Sequence, residues 1–161
     1  MKNLILIIFS LACSLLILGC QSDPYAGDMT TEQPRREDII GIYRFKEQTI
    51  SEAPIDKRGL KATITLKSDG TYLAIDIPNV FGGPDAENHK YISAKGNWKI
   101  ETIGSIDTGW GHPKPNWGIT LTAIDESLTN IGFTGNETPY GLIVTFDDPD
   151  LAMVMLFKKI R

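Results

Sequence analysis

The chain holds only two cysteines and two histidines in 161 residues. Cys13 stands inside a hydrophobic N-terminal run and Cys20 at its end, so no cysteine follows residue 20. No disulfide can staple the remainder, and its fold must stand on a hydrophobic core. About 120–150 residues suffice for that, burying close to two-thirds of the unfolded surface. His89 and His112 fall in predicted loops, where solvated histidines are the common case, and no motif joins either to a nucleophile. A Gly-x-Ser-x-Gly elbow, a Walker loop and a His-Glu-x-x-His helix are all missing. These absences point away from an enzyme and away from any cofactor.

Positive charge is scarce as well. Sixteen Lys and Arg stand against 20 Asp and Glu, for a net charge of −4. No basic cluster exceeds Arg35-Arg36, which excludes nucleic acid as a partner and speaks against adsorption to anionic lipid. The acidic tract Asp147-Asp148-Pro149-Asp150 lacks the spacing of a calcium loop and reads as a hairpin connection, so no metal site is expected.

A long hydrophobic run is also missing. The apolar stretch over residues 4–18 is interrupted by Ser10, Cys13 and Ser14 and falls short of the roughly 20 residues a spanning helix needs. It follows the singly charged Met1-Lys2-Asn3, and no basic stop-transfer cluster comes after it. That is the layout of a secretory signal.

The run ends in Ile17-Leu18-Gly19-Cys20, which resembles the lipobox of bacterial lipoproteins. The resemblance implies cleavage before Cys20, a diacylglycerol on its thiol and usually an acylated amino group. Two or three chains hold firmly, because each buried methylene contributes about 0.8 kcal/mol. Gln21 rather than Asp after the cysteine implies the periplasmic side of the outer membrane, where the host has one. The expected organisation is a signal peptide over residues 1–19, a lipidated Cys20 with a flexible tether over 20–38, and a domain over 39–161. Residues 21–33 read as a polar spacer of about 20 Å root-mean-square length, followed by one helical turn near residues 34–38.

From Ile39 onward the pattern is strand after strand. Tyr43 and Phe45 alternate with polar neighbours, as do Ala62, Ile64 and Leu66. Asp69-Gly70 signals a two-residue hairpin turn, which would pair Leu66 with Leu73 and turn Leu73, Ile75 and Ile77 inward. Further strands are expected over residues 91–101 (Gly96, Trp98 and Ile100 on one face), 117–123 (Trp117, Ile119, Leu121 and Ala123 inward), 130–134, 142–146 and 152–158. Eight strands with almost no helix predict an all-β fold: an eight-stranded antiparallel meander barrel, or alternatively a two-sheet sandwich. Closure is favoured because it removes aggregation-prone edges.

Gly41 and Tyr43 in the first strand, the Leu66 to Tyr72 hairpin, and Gly96 with Trp98 resemble the lipocalin-like small barrels of bacterial lipoproteins. The resemblance implies an architecture and no ligand, since the first-strand Trp and the Thr-Asp-Tyr element of true lipocalins are not here. Tyr43, Phe45, Trp98, Phe146 and Phe157 are large enough to fill such a barrel.

The most distinctive loop runs from Gly104 to Asn116, with Trp110, His112 and Lys114 as candidate contact residues on a stiff Gly/Pro-rich connection. The expected function is a lipid-anchored binding module of the cell envelope, meeting another envelope protein or a small apolar ligand. The alternative is a periplasmic inhibitor or immunity protein that blocks an envelope hydrolase with this loop.

Overall fold

Eight segments pair in chain order into a closed antiparallel barrel, as the computed structural model shows. The structure describes residues 24–50, 55–80, 90–107, 112–146 and 152–161. The strands are β1 (Gly41–Gln48), β2 (Thr63–Leu66), β3 (Thr71–Pro78), β4 (Tyr91–Ile106), β5 (Lys114–Leu121), β6 (Asn130–Thr134), β7 (Gly141–Thr145) and β8 (Val154–Lys159). β8 returns to β1, with Phe45 opposite Phe157, and this pairing leaves no edge strand.

Alternation sends one side chain in two to the interior. Tyr43, Phe45, Ile64, Leu66, Tyr72, Trp98, Ile119, Leu121, Phe133 and Phe157 are buried there. The Phe45 and Phe157 rings meet edge to face at 5.9 Å. Each buried large side chain contributes about 1.5–3 kcal/mol, and aromatic and aliphatic bulk occupies the interior.

The chain reaches β1 through a one-turn helix, α1 (Arg36–Ile39), which covers the barrel end where β1 starts. Ile39 is fully buried, and the Tyr43 hydroxyl donates to its carbonyl at 2.6 Å. Burial pushes the Tyr43 phenol well above the usual tyrosine value. Lys159 donates to the Asp38 carbonyl at 2.6 Å, and desolvation pulls its ammonium below the usual lysine value. The Arg36 guanidinium stacks 4.2 Å from the centre of the Trp98 ring, and the Trp98 indole donates to the Lys67 carbonyl.

Four expectations are corrected. The β2–β3 turn has three residues, not two: Leu66 faces Tyr72 and Thr65 faces Leu73. Gly70 donates to the Lys67 carbonyl and takes φ +86°, while the Asp69 carboxylate holds the Thr71 amide and hydroxyl. Such a turn needs positive φ at one residue only, and Gly70 supplies it. Tyr72 and Ala74 therefore point inward, and Leu73 and Ile75 are exposed at 37% and 41%. An irregularity at Asp76 (φ 54°) then restores Ile77 to the core.

Ala123 is exposed at positive φ just past β5, because the strand ends at Leu121. Much of the predicted 104–116 loop is strand: Gly104 pairs with Asn116 and Ile106 with Lys114. Finally, the stretch read as free tether is seated on the barrel from Tyr25 onward. Thr30 gives its N–H to the Phe133 carbonyl and accepts the Trp117 N–H, wedging between β5 and β6 beyond the Gly118–Gly132 pair. Asp28 accepts from the Gly135 amide, and Met29 forms a bridge with Thr134. The apolar Met29 and the backbone pairing it permits decide this, and neither shows in a stretch without periodicity.

Candidate functional site: a cleft on the outer wall

A barrel full of side chains leaves its outer wall for recognition. There, glycines replace side chains at two paired strand positions, Gly118 and Gly132. A β-carbon on Gly118 would lie 2.3 Å from the Ile131 carbonyl oxygen and 2.9 Å from the Ile103 side chain. The bare backbone lets Ile103, displaced by an irregularity in β4 between Thr102 and Gly104, fold across this part of the wall.

The N-terminal segment covers the wall from the other side. Met29 packs with Ile106, Ile143 and Val154 in a small cluster separate from the barrel interior, supported by Tyr25, Ala26 and Leu156. Between the two covers lies a cleft of about 370 Å³, floored by Gly132 and Ile143 and walled by Met29, Ile103, Asp107 and Asn116. Its residues come from the N-terminal segment and from β4, β5, β6 and β7.

Two polar features mark it. The Asn116 amide nitrogen lies 3.4 Å from the Met29 sulfur, while its Oδ1 is buried with no hydrogen-bond partner among the described residues. An unmet buried acceptor costs about 1–3 kcal/mol, so a donor that reached it would gain more than one bonding to solvent. At the Asn130 rim, Thr120 donates to Glu101 at 2.8 Å and contacts Asn130. Lys99 and this hydroxyl hold the Glu101 carboxyl below the usual glutamate range.

No family model, no curated protein and no solved structure matches the chain. The reading of the cleft therefore rests on its own geometry.

Of the residues expected to matter, Cys20 and Trp110 lie outside the described residues, as do His89 and the 147–150 acidic tract. His112 and Lys114 are exposed. Lys114 opens β5 opposite Ile106, one residue from the cleft-lining Asp107. Trp117, expected in the core, is partly buried against it. Among the described residues no group of three or more His, Cys, Asp or Glu is placed to hold a metal ion, and no helix is long and apolar enough to cross a membrane. The loop reading singled out Trp110, His112 and Lys114, whereas the cleft is lined by Asn116 at the end of that loop and by Ile103 and Met29 outside it. The available signal was the pair of mid-strand glycines, which mark close approach by another segment.

Proposed function

We propose that the protein is a lipid-anchored binding module of the cell envelope, without a catalytic role, that takes a side chain or loop of a partner protein in its outer cleft. One observation carries the reading: the barrel interior is packed with aromatic and aliphatic side chains, whereas the outer wall keeps a half-polar cleft with an unmet acceptor. A pocket of this kind, with an apolar floor and few polar groups, suits a donor-bearing side chain such as an amide, hydroxyl or ammonium. The lipobox at Ile17 to Cys20 supports anchoring through Cys20, which keeps the module at the membrane.

A photoreactive residue at Ser105, which lines the cleft, tests this in the mature lipidated protein. A discrete crosslinked partner from Ser105, not formed from Thr63 on β2 and lost when Thr145→Arg fills the same cleft, is expected. Equal products from both positions, or none, would refute the cleft as the contact site.

A further inference from the structure

The hairpin correction leaves large apolar side chains outside, and their neighbours are not random. One row of outward residues crosses four strands: Lys158, Arg44, Thr63 and Ile75, each opposite the next in the ladder. A parallel row runs Ile42, Thr65, Leu73 and Lys95. Ile160, 44% exposed, donates its N–H to the Ile42 carbonyl at the edge of this row. At about 4.8 Å per strand the rows span roughly 14 Å.

Neither row contains a carboxylate. Arg44, Lys95 and Lys158 have no ion-pair partner among the described residues, and Arg44 faces Lys158 directly, a like-charge pairing that opposes folding. The carboxylates at the margins are engaged: Glu47 by Lys46, and Asp76 by Arg58 at 2.6 Å. A chain with an excess of acid thus gathers unpaired cations and exposed Leu and Ile on one wall. The overall charge hides this.

The N-terminal segment reaches the barrel beside that wall. Tyr25 and Leu156 both pack on the outer cluster of Met29, and they share a surface cleft of about 430 Å³ with Lys46, Lys158 and Asp28, the last being the acid of that group. From Tyr25 back to Cys20 the chain has five residue steps, which span at most about 18 Å. A lipid on Cys20 therefore keeps the β8–β1 side of the barrel within about 18 Å of the bilayer.

We infer that the outer wall of β8, β1, β2 and β3, with the adjoining start of β4, rests on the anionic surface of the membrane that carries the Cys20 lipid. Arg44, Lys95 and Lys158 meet headgroup phosphates, while Leu73, Ile75 and Ile160 dip among the headgroups. Adsorption of this kind scales with apolar area plus attraction to anionic lipid, and each basic residue near such a surface favours it by roughly fivefold. The barrel then lies on its side with a set orientation. The inference rests on anchoring through Cys20 and is independent of what occupies the cleft.

The test places an environment-sensitive label on Ile75→Cys in the mature lipidated protein, in vesicles containing phosphatidylglycerol and headgroup-nitroxide lipid. Thr102→Cys on β4 is the reference position. Quenching at position 75 should exceed that at 102 severalfold, and Arg44→Glu with Lys158→Glu should remove the difference while the protein stays on the vesicles with its β-type spectrum. Equal quenching at the two positions in retained protein, as a wall free in solution or covered by a partner would give, overturns the membrane-facing wall. Protein that carries no lipid on Cys20 and is not retained overturns instead the anchoring on which it rests.

Discussion

The Asn116 amide nitrogen lies 3.4 Å from the Met29 sulfur, a contact that ties β5 to the N-terminal segment 87 residues earlier in the chain. It lies in the wall of the outer cleft, and the segment beyond it wedges between β5 and β6 through Thr30. The segment therefore serves two purposes: it completes the barrel wall and forms one side of the cleft. Met29 is 6% exposed and central to the small outer cluster. Met29→Ala should cost about 2–4 kcal/mol, in the range for buried Met truncations. Chemical denaturation would show it, with proteolytic nicking near residues 24–30 rising first. A loss below about 0.5 kcal/mol would mean the segment is merely laid on the surface.

Gly118, under Ile103, and Gly104, beside it in the chain, offer a graded comparison. Gly118→Ala places a methyl 2.3 Å from a backbone carbonyl, so the wall must shift, whereas a β-carbon on Gly104 meets nothing within 4 Å. Gly118→Ala should cost about 1–3 kcal/mol, as overpacking does, and Gly104→Ala less than about 0.5 kcal/mol. Equal melting temperatures for the two would refute the close approach of the Ile131 backbone and the Ile103 side chain to Gly118.

Gly70 is the one residue of the β2–β3 turn held at positive φ. Gly70→Val should destabilise by about 1–3 kcal/mol, because a β-branched residue is strained there. A β-carbon would also come 3.2 Å from the Arg36 guanidinium that stacks on Trp98. Thermal unfolding measures the loss, and an unchanged midpoint would mean another turn.

Alkaline pH should unfold the barrel through Tyr43 and Tyr72, whose phenols burial keeps protonated above the usual value of about 10. A group with a raised folded-state pKa contributes stability that is complete below its unfolded value. That stability is lost as pH climbs above about 10, where only the unfolded chain ionises. Melting temperatures at a series of pH values from 9 to 12, read with phenolate absorbance, would trace the loss. Tyr43→Phe strands the Ile39 carbonyl and should cost about 1–2 kcal/mol at neutral pH, yet flatten the alkaline decline. An unchanged slope would remove Tyr43 as its source.

Anchoring has its own test. Cys20→Ala should abolish palmitate labelling and leave the uncleaved precursor, because in lipoproteins the peptidase acts only after diacylglycerol is attached. Label retained without Cys20 would end the lipoprotein reading, whereas loss of label in Cys13→Ala alone would move the site.

Strand identity was written locally in this chain. The alternation of Tyr43 with Phe45, of Ala62 with Ile64 and Leu66, and of Ile119 with Leu121 sends one face to the core whatever lies elsewhere, and eight such segments with few breakers leave closure as the economical arrangement. Five aromatic residues read as filling the interior, Tyr43, Phe45, Trp98, Phe146 and Phe157, are buried there. What no local pattern decided was the side on which Leu73 and Ile75 emerge. Asp69-Gly70 fits a two-residue or a three-residue turn, and a shift of one residue reverses every side chain of the strand that follows. Packing made the choice: Tyr72 fills the interior and hydrogen bonds to the Thr122 carbonyl, 50 residues away. The cleft lay further out of reach, since Met29, Ile103, Asn116 and Gly132 come from four separate stretches, and only the closed wall brings them within contact distance. Such a meeting depends on register and curvature summed over several strands, whereas sequence periodicity reports one strand at a time.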